Sequence, residues 1–475
     1  MRDLLRKPAV ELARMVRDGE VSARELAEAS LTRAEATAAL NHWTLLDADG
    51  ALAAADAIKP GDGRPFAGVP LAIKDLFAPV AGLRMAQGSD LVGDWTPDYD
   101  YALVRRFREA GFVLIGKTQT PEFGILPVTE PRRFGPARNP WDPERTTGGS
   151  SGGSAGAVAA GAVPVAHASD GGGSIRIPAA CTGLVGLKPA RGRISRAPDL
   201  GDHFLSTDGA LARTTADAAA MLDVMAGYEP GDATWAPPPE APFAQLAARP
   251  PGALRVAMTL DAPVDAELDP ACVAATNDAA RLLEQLGHSI EEVDAPWKGT
   301  DILPVFSVLW AATVAASVMH AELISGRQAT ESDVEPLTWW LNQEGRGHNA
   351  PTYIGAVAMM QAFARGVIGL WGQYDVLLTP ALGRRPVRHG EVDPCGENPA
   401  YEFKKSAEFT PFTAPFNVTG QPAISVPLFH GDDGLPTAVQ LVGPPAGEGL
   451  LLALCAQLEA ARPWAERAPE ESATA

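Results

Sequence analysis

Cysteine is scarce in this chain. Four residues in 475, Cys181, Cys272, Cys395 and Cys455, lie far apart and form no CxxC or Cys/His cluster. That spacing provides neither a zinc site nor a disulfide framework, so no metal is expected and a reducing cytoplasm is the natural compartment. Basic charge is also short, with 39 Lys and Arg against 58 Asp and Glu and a formal net charge of −19. Proteins that bind by neutralising phosphates concentrate Lys and Arg, so nucleic acid is not an expected partner. No uninterrupted apolar run reaches the length of about 18 residues that a membrane span needs. The first residues, MRDLLRKPAVELARMVRDGE, carry frequent charges and no apolar core of the secretory-signal kind. Neither a membrane partner nor a secreted protein is expected.

What remains is an ordinary globular composition, 46% hydrophobic and 20% charged, which sets disorder and collagen-like repeats aside. The length would allow about three domains or one large α/β fold. Periodicity predicts a helix from Pro8 to Asp18 stopped at Gly19. A second helix is opened by the capping-box pair Ser22 and Glu25. After a Pro/Gly loop, short apolar strands at Val69–Ile73 and Val113–Gly116 flank a helix at Ala102–Ala110. Ala155–Ala162 reads as a small-residue helix, Val163–Ala168 as a buried strand, and Tyr228–Pro251 as a surface crossover rich in Pro and Ala. Strands at Leu254–Met258, Asp375–Leu378 and Ala438–Val442 alternate with helices at Cys272–Leu286 and Gly449–Ala461, and a Trp-rich helical stretch fills Ile302–Gln373. Strands alternating with helices imply a mostly parallel sheet.

The stretch GGSSGGSAGAVAAGAVPVAHASDGGGSIR, residues 148–176, is where chemistry is to be sought. A linker would not embed so apolar a run. A P-loop needs a Lys after its glycines, and a dinucleotide fingerprint needs G-x-G-x-x-G, which is absent. The nucleophile-elbow pattern G-x-S-x-G fits three times, centred on Ser150, Ser151 and Ser154. Such an enzyme would also need an acid and a His, for which His320, His348, His389 and His430 are available without any context that selects one. Elsewhere, FAGVPLAIKDLF places Lys74 at the end of an apolar strand. A buried ammonium either pairs, with Asp75 next door as the simplest partner, or loses its proton.

Taken together these pieces resemble the amidase signature family. Lys74 stands in its G-V-P-x-x-x-K-D element, Ser150 in G-G-S-S-G-G-S and Ser174 in D-x-G-G-S-I-R-x-P-A, the two serines 24 positions apart as the family spaces them. The likeness continues through CTGLVGLKPARGRIS, FNVTGQPAISVP and GLPTAVQLVG, and so covers about Pro8 to Trp464. It implies an α/β amidase signature fold, a large mixed, mostly parallel central sheet covered by helices on both faces. The expected organisation is an N-terminal helical cover (1–65) and a single catalytic domain (66–464) with a helical substrate-side region near 300–373. A C-terminal tail (465–475) follows.

The resemblance also implies a hydrolase that cleaves carboxylic amides through an acyl-enzyme. Ser174 would be the nucleophile, and Ser150, carrying a cis peptide in this family, would pass its proton to Lys74. For that task the lysine pKa must fall toward about 7, which desolvation can supply. Gly171, Gly172 and Gly173 would present backbone N–H groups to the oxyanion, together with that of Ser174. Ser151, Asp170 and Arg176 would be structural supports, Cys181 a small buried hydrophobe and His167 a hydrogen-bonded strand residue. Family members usually carry Thr, Ile, Ser or Ala where this chain has Gly171. No cofactor is implied.

Within the family the sequence looks closest to bacterial amidases of the cyclic-dimer hydrolase, aryl-acylamidase and urethanase kinds. The partner is then a small-molecule amide or carbamate, and the protein a monomer or homodimer. Gly124, Ile125 and Leu126, the loop Arg196–Thr207 and the helices between Trp310 and Trp340 are the expected pocket, suited to an apolar or aromatic substrate. The alternative is an amidotransferase subunit that passes ammonia from glutamine or asparagine to a partner, which the acidic charge and the lack of a docking extension disfavour.

Overall fold

Two helices open the chain, each started by a different device. The computed structural model describes residues 4–201 and 204–470. Helix Ala23–Ala36 begins with the anticipated capping box: Glu25 N–H donates to Ser22 Oγ at 3.1 Å, and Ser22 N–H donates to Glu25 Oε2 at 2.8 Å. Such caps are worth about 1 kcal/mol. Helix Ala9–Arg17 has no cap of its own; the N–H groups of Ala9 and Val10 donate instead to the buried carboxylate of Asp217 at 2.9 and 3.0 Å. Its apolar face, Leu12, Ala13 and Val16, joins the same core as the central sheet. The tail expected from residue 465 is described to residue 470, and 471–475 lie outside the described residues.

The strands are β1 (Trp43–Leu46), β2 (Pro70–Lys74), β3 (Val113–Thr118), β4 (Arg138–Asn139), β5 (Asp142–Thr146), β6 (Val165–Asp170) and β7 (Val185–Lys188). They continue with β8 (Thr207–Ala212), β9 (Arg255–Met258), β10 (Ser289–Glu292), β11 (Val376–Pro380), β12 (Ala423–His430) and β13 (Pro436–Val442). β4 and β5 pair alone, and the others form one sheet in the order β1-β3-β2-β6-β8-β7-β12-β13-β11-β9-β10. The sheet is mixed, as expected, with helices around it. Its parallel pairings lie in two flanks, β3-β2-β6 and β11-β9-β10. The run from β6 through β8, β7, β12 and β13 to β11 is antiparallel, as is the edge strand β1. Strand–helix alternation is visible in the sequence of the flanks. These central strands are short buried segments that mix apolar residues with polar ones, and such segments carry no local sign of direction.

This topology positions the site. β2 and β6 are parallel neighbours, so Lys74 and Asp170, the last residues of each, come together at one end of the sheet. Open α/β sheets bind ligands at such carboxyl ends. The segment between β5 and β6 supplies the helix Gly152–Ala159, starting a little before the expected Ala155. Its glycines permit close approach: a Cβ on Gly153 would lie 2.3 Å from Gln119 N and 2.5 Å from His42 O.

Helix Leu303–Ser325 packs against two others, Pro336–Gly347 and Ala350–Ile368, and faces the loop after β6 through Trp310. Leu303–Ser325 and Ala350–Gly372 are, by length and mean hydropathy (1.6 and 1.4), long enough to cross a membrane. The interruptions at Ser, Thr, His and Gln hide this from a search for unbroken apolar runs. Leu303–Ser325 buries Phe306, Leu309, Val314 and Val318.

Candidate active site

β2 is buried at every position and ends on Lys74, whose side chain is fully enclosed. The ammonium Nζ donates to Ser150 Oγ at 2.7 Å and to Ser169 Oγ at 3.1 Å, with Ser169 O at 3.4 Å. Burial pushes the Lys74 pKa down to about 7; Asp170 and Asp208 pull against that and Arg196 adds to it. A group that titrates near neutrality can accept a proton at working pH. Asp75 is not its partner. Successive strand residues face opposite sides, and Asp75 instead accepts from Ala86 N–H at 3.1 Å and Thr44 Oγ1 at 3.2 Å, with Lys117 Nζ at 3.9 Å.

Ser150 follows β5 on a tight loop, and the Gly149–Ser150 peptide is cis. Gly124 packs directly against it, since a Cβ on that residue (φ +71°) would stand 3.2 Å from Ser150 Oγ and 2.5 Å from Leu76 Cδ2. Ser151 Oγ donates to Ser169 O at 3.2 Å, so Ser151 and Lys74 converge on one residue of β6. Ser154, centre of the third G-x-S-x-G match, donates to the His167 carbonyl at 2.8 Å and faces Thr118 Oγ1 at 2.6 Å. It is enclosed in the core.

Ser174 closes the loop after β6. Asp170 organises that loop: its carboxylate accepts from Gly173 N–H (2.7 Å), Ile175 N–H (3.1 Å), Arg176 Nε (3.0 Å) and Nη2 (2.9 Å), and Asn417 Nδ2 (2.8 Å). Burial by itself would raise this carboxyl, but the Arg176 charge and hydrogen bonds override it and hold the pKa well below the usual range. Arg176 is equally saturated, donating also to Thr413 O, Gln440 Oε1 and Asn417 Oδ1 at 2.9, 2.7 and 2.7 Å. Gly173 adopts φ +138°, and a Cβ there would meet Thr413 Oγ1 at 2.4 Å.

This arrangement corrects one expectation. The Gly173 N–H, counted among the oxyanion donors, is spent on Asp170. The N–H groups of Gly171, Gly172 and Ser174 have no hydrogen-bond acceptor among the described residues. The departure at Gly171 also has a local consequence: a Cβ would lie 2.9 Å from Ser206 Oγ and 3.7 Å from the Trp310 ring. The bare glycine leaves that space to the cavity side of the loop.

Ser174 opens onto an apolar cavity of about 90 Å³. Its lining includes Ile125, Leu126, Gly172 and Ile177, together with Phe306 and Trp310, whose rings stack with centroids 5.4 Å apart. Three calls on the pocket need adjustment. Gly124 contacts Ser150 and does not line the cavity. The described part of the Arg196–Thr207 loop borders a separate small polar cavity with Asp232 and Thr234, and residues 202–203 lie outside the described residues. Trp339 and Trp340 are half-buried against the neighbouring apolar cluster, Trp340 beside the Phe403 ring, and neither lines the cavity. The sequence reading missed Pro263, Val264 and the segment Phe403–Pro415, which complete the lining; only their apolar character marked them, and that signal is shared with every core segment.

Among the described residues, the hydrogen bonds join Lys74 to Ser150 and stop short of Ser174, whose hydroxyl is left facing the cavity. Such contacts are often long in a free enzyme and tighten with substrate. None of His320, His348, His389 or His430 lines this cavity. His389 bonds Glu130 and Pro143 O, and His430 lies against Trp141 and Arg467. Cys181 is enclosed, with its thiol pKa raised by burial.

Comparison with known proteins gives a consistent picture. The family model described as Amidase matches residues 25–452. The 6-aminohexanoate-cyclic-dimer hydrolase of Paenarthrobacter ureafaciens is 38% identical over 97% of this chain and 96% of its own. A solved structure of 6-aminohexanoate cyclic dimer hydrolase superposes with a TM-score of 0.93 at 37% identity, covering 98% of this chain and 99% of that one. A bacterial aryl acylamidase of the amidase signature family does so with 0.87 at 27% identity, covering 97% of each chain.

Proposed function

Since the chain belongs to the amidase signature family of amide hydrolases and is related to the cyclic-dimer hydrolases, we propose that it cleaves uncharged, apolar amides through an acyl-enzyme on a Ser174–Ser150–Lys74 relay. The observation that carries the reading is the 2.7 Å contact between a desolvated Lys74 and Ser150, with Ser174 lining the cavity.

Ser174 Oγ attacks the carbonyl carbon as its proton moves to Ser150 and the Ser150 proton moves to neutral Lys74. The carbonyl oxygen becomes an oxyanion, stabilised by the N–H groups of Gly171, Gly172 and Ser174; one such donor is worth about 3 kcal/mol in the transition state. Collapse breaks the C–N bond, and the leaving nitrogen takes a proton back from Lys74 through Ser150. Water then attacks the acyl-enzyme along the same route, releasing the acid and restoring Ser174. No histidine, metal or cofactor enters any step.

The cavity supports the substrate class. Among the described residues its lining holds no charged side chain, only apolar residues, glycine, Ser and Thr. Placing a carboxylate or ammonium there without a counter-charge would cost several kcal/mol. The acyl arm is therefore neutral and apolar, an aliphatic chain or ring held against Phe306 and Trp310. Glutamine, with two charges beside its side chain, fits this lining poorly, which disfavours the amidotransferase alternative. Esters, anilides and carbamates of the same shape are further candidates, since each offers a leaving group to protonate.

The test is a panel of cyclic and linear aliphatic amides, anilides, carbamates and glutamine, read by product release, with intact-mass detection of the acyl-enzyme. Ser174→Ala is expected to abolish acylation. Lys74→Ala and Ser150→Ala are each expected to lower kcat/KM by at least about 10³-fold, the scale of losing general-base activation of a nucleophile. Full activity of Lys74→Ala at pH 7 would remove the relay.

A further inference from the structure

A second buried polar cluster adjoins Lys74 and takes no part in the bond-making steps. Tyr101, His167 and Asp208 are almost wholly enclosed. Asp208 Oδ2 accepts from the Tyr101 hydroxyl at 3.0 Å, its Oδ1 lies 3.2 Å from His167 Nε2, and Arg196 Nε approaches Oδ2 to 3.6 Å. The antiparallel ladder between β6 and β8 sets Asp208 directly opposite Ser169. Ser169 is the residue whose hydroxyl and carbonyl both face Lys74 Nζ. Enclosing a carboxylate costs several kcal/mol unless its partners compensate, so a core that keeps one here calls for a reason.

We propose that Asp208 is a positioning residue for amide cleavage: lying opposite Ser169 in the β6–β8 ladder, it sets a fixed negative charge on the Ser169 side of the lysine site. This rests on Lys74 being the base of the relay.

The charges around Lys74 single Asp208 out. Those acting on Lys74 are Asp170, Asp208 and Arg196, with Ser150 and Ser169 as its neutral contacts. Asp170 is the larger of the two acidic influences on Lys74, but its carboxylate is already committed to Arg176 and to the Ser174 loop, which leaves Asp208 as the acid with no role yet assigned. His167 does not neutralise Asp208: burial lowers its pKa, and the hydrogen bond and charge of Asp208, which pull the other way, do not make up the difference. Asp208 itself stays ionised. Burial would raise its pKa, yet the His167 and Tyr101 hydrogen bonds and the Arg196 charge together bring it below the usual range. Desolvation alone would leave Lys74 a weak base at neutral pH, and the Asp208 charge restores part of its proton affinity. Arg196 acts in the opposite sense.

The experiment is the pH profile of kcat/KM on an uncharged amide, for enzymes whose folding is checked by circular dichroism. Removing the charge in Asp208→Asn is expected to move the acidic limb down by about one pH unit, the scale of one nearby charge, and to lower the plateau because the base is weaker. Asp208→Glu should retain the wild-type limb. Arg196→Gln should move it up. If Asp208→Asn does not fold, Arg196→Gln decides: an unmoved or lowered limb overturns the assignment. An unmoved limb in a folded Asp208→Asn enzyme overturns it as well. Lys74→Ala in the same series separates the two readings, since wild-type activity there overturns the relay itself, whereas an inactive Lys74→Ala beside an unmoved Asp208→Asn limb overturns only the role of Asp208.

Discussion

The loop system around Lys74, Ser150 and Ser174 and the helical wall from Leu303 to Ile368 meet at one cavity but are built on opposite principles. In the loop system nearly every polar group is buried and tied; the Asp170 carboxylate alone accepts five hydrogen bonds. The wall is apolar and only partly covered, with Met319, Leu323, Ile354 and Met359 exposed. Directional contacts fix atoms to a fraction of an ångström and require particular residues. Apolar contacts require only volume and tolerate exchange. Under the proposed mechanism, proton transfer therefore sits in the first region and the choice of acyl group in the second.

The widest separation between the two should come from stability. Arg176→Met leaves Asp170 ionised, buried and without its cation, and losing one partner of a buried pair costs about 3–5 kcal/mol. Leu323→Ser, on the exposed side of the wall, should fall within about 0.5 kcal/mol of wild type. Chemical denaturation of both variants measures this; equal midpoints would end the distinction between a saturated loop and a tolerant wall.

That contrast also explains what could be read from the chain. The meeting of Lys74 with Ser150 and of Asp170 with Arg176 was legible because directional contacts leave long, ordered motifs with fixed spacing. Ser22 with Glu25 was legible because a cap is local. The commitment of the Gly173 N–H to Asp170 was not, since a glycine run does not say which amide turns inward. The antiparallel order of β7, β8, β12 and β13 was hidden for the same kind of reason: pairing direction is set by distant partners. Pro263, Val264 and Phe403–Pro415 were invisible as pocket residues because an apolar side chain facing a cavity has the same sequence signature as one facing the core. The helices between Trp310 and Trp340 were expected in the pocket, and of their tryptophans Trp310 reaches the cavity.

A smaller effect should follow from trimming the wall. Trp310→Ala removes one half of the Phe306–Trp310 stack and the surface that faces Gly171 and Gly172. Losing apolar contact of this kind is worth about 1–3 kcal/mol, or about 10–200-fold in discrimination. The loss should appear as raised KM for bulky apolar amides, with kcat for a small amide such as acetamide kept within about threefold, because the relay is untouched. A uniform fall in kcat across the series would place Trp310 with the chemistry instead.

The smallest effect concerns the bridge between the two regions. Glu122 lies just before the Ile125–Leu126 wall of the cavity, and Glu335 precedes the helix Pro336–Gly347. Glu335 N–H donates to Glu122 Oε2 at 2.8 Å and Ser89 Oγ to Glu122 Oε1 at 2.7 Å, while Arg132 N–H donates to Glu335 Oε1 at 2.7 Å. Burial raises both carboxyls, and the Glu122 charge adds to the rise at Glu335. For Glu122 the pKa climbs from 4.5 to about 7. A carboxyl with a raised folded pKa contributes stability below its unfolded pKa and loses it as pH rises through the folded one. Wild-type stability should therefore decline as pH rises from about 4.5 to about 7 by an amount that Glu122→Gln, permanently neutral, does not share. Melting curves of the two proteins should diverge by about 2 °C toward pH 8, the variant melting higher, on the scale of roughly 1 kcal/mol in a chain of this size. Curves that stay parallel from pH 5 to pH 8 would show that the junction between loop and wall does not titrate, and that the two regions are coupled by packing alone.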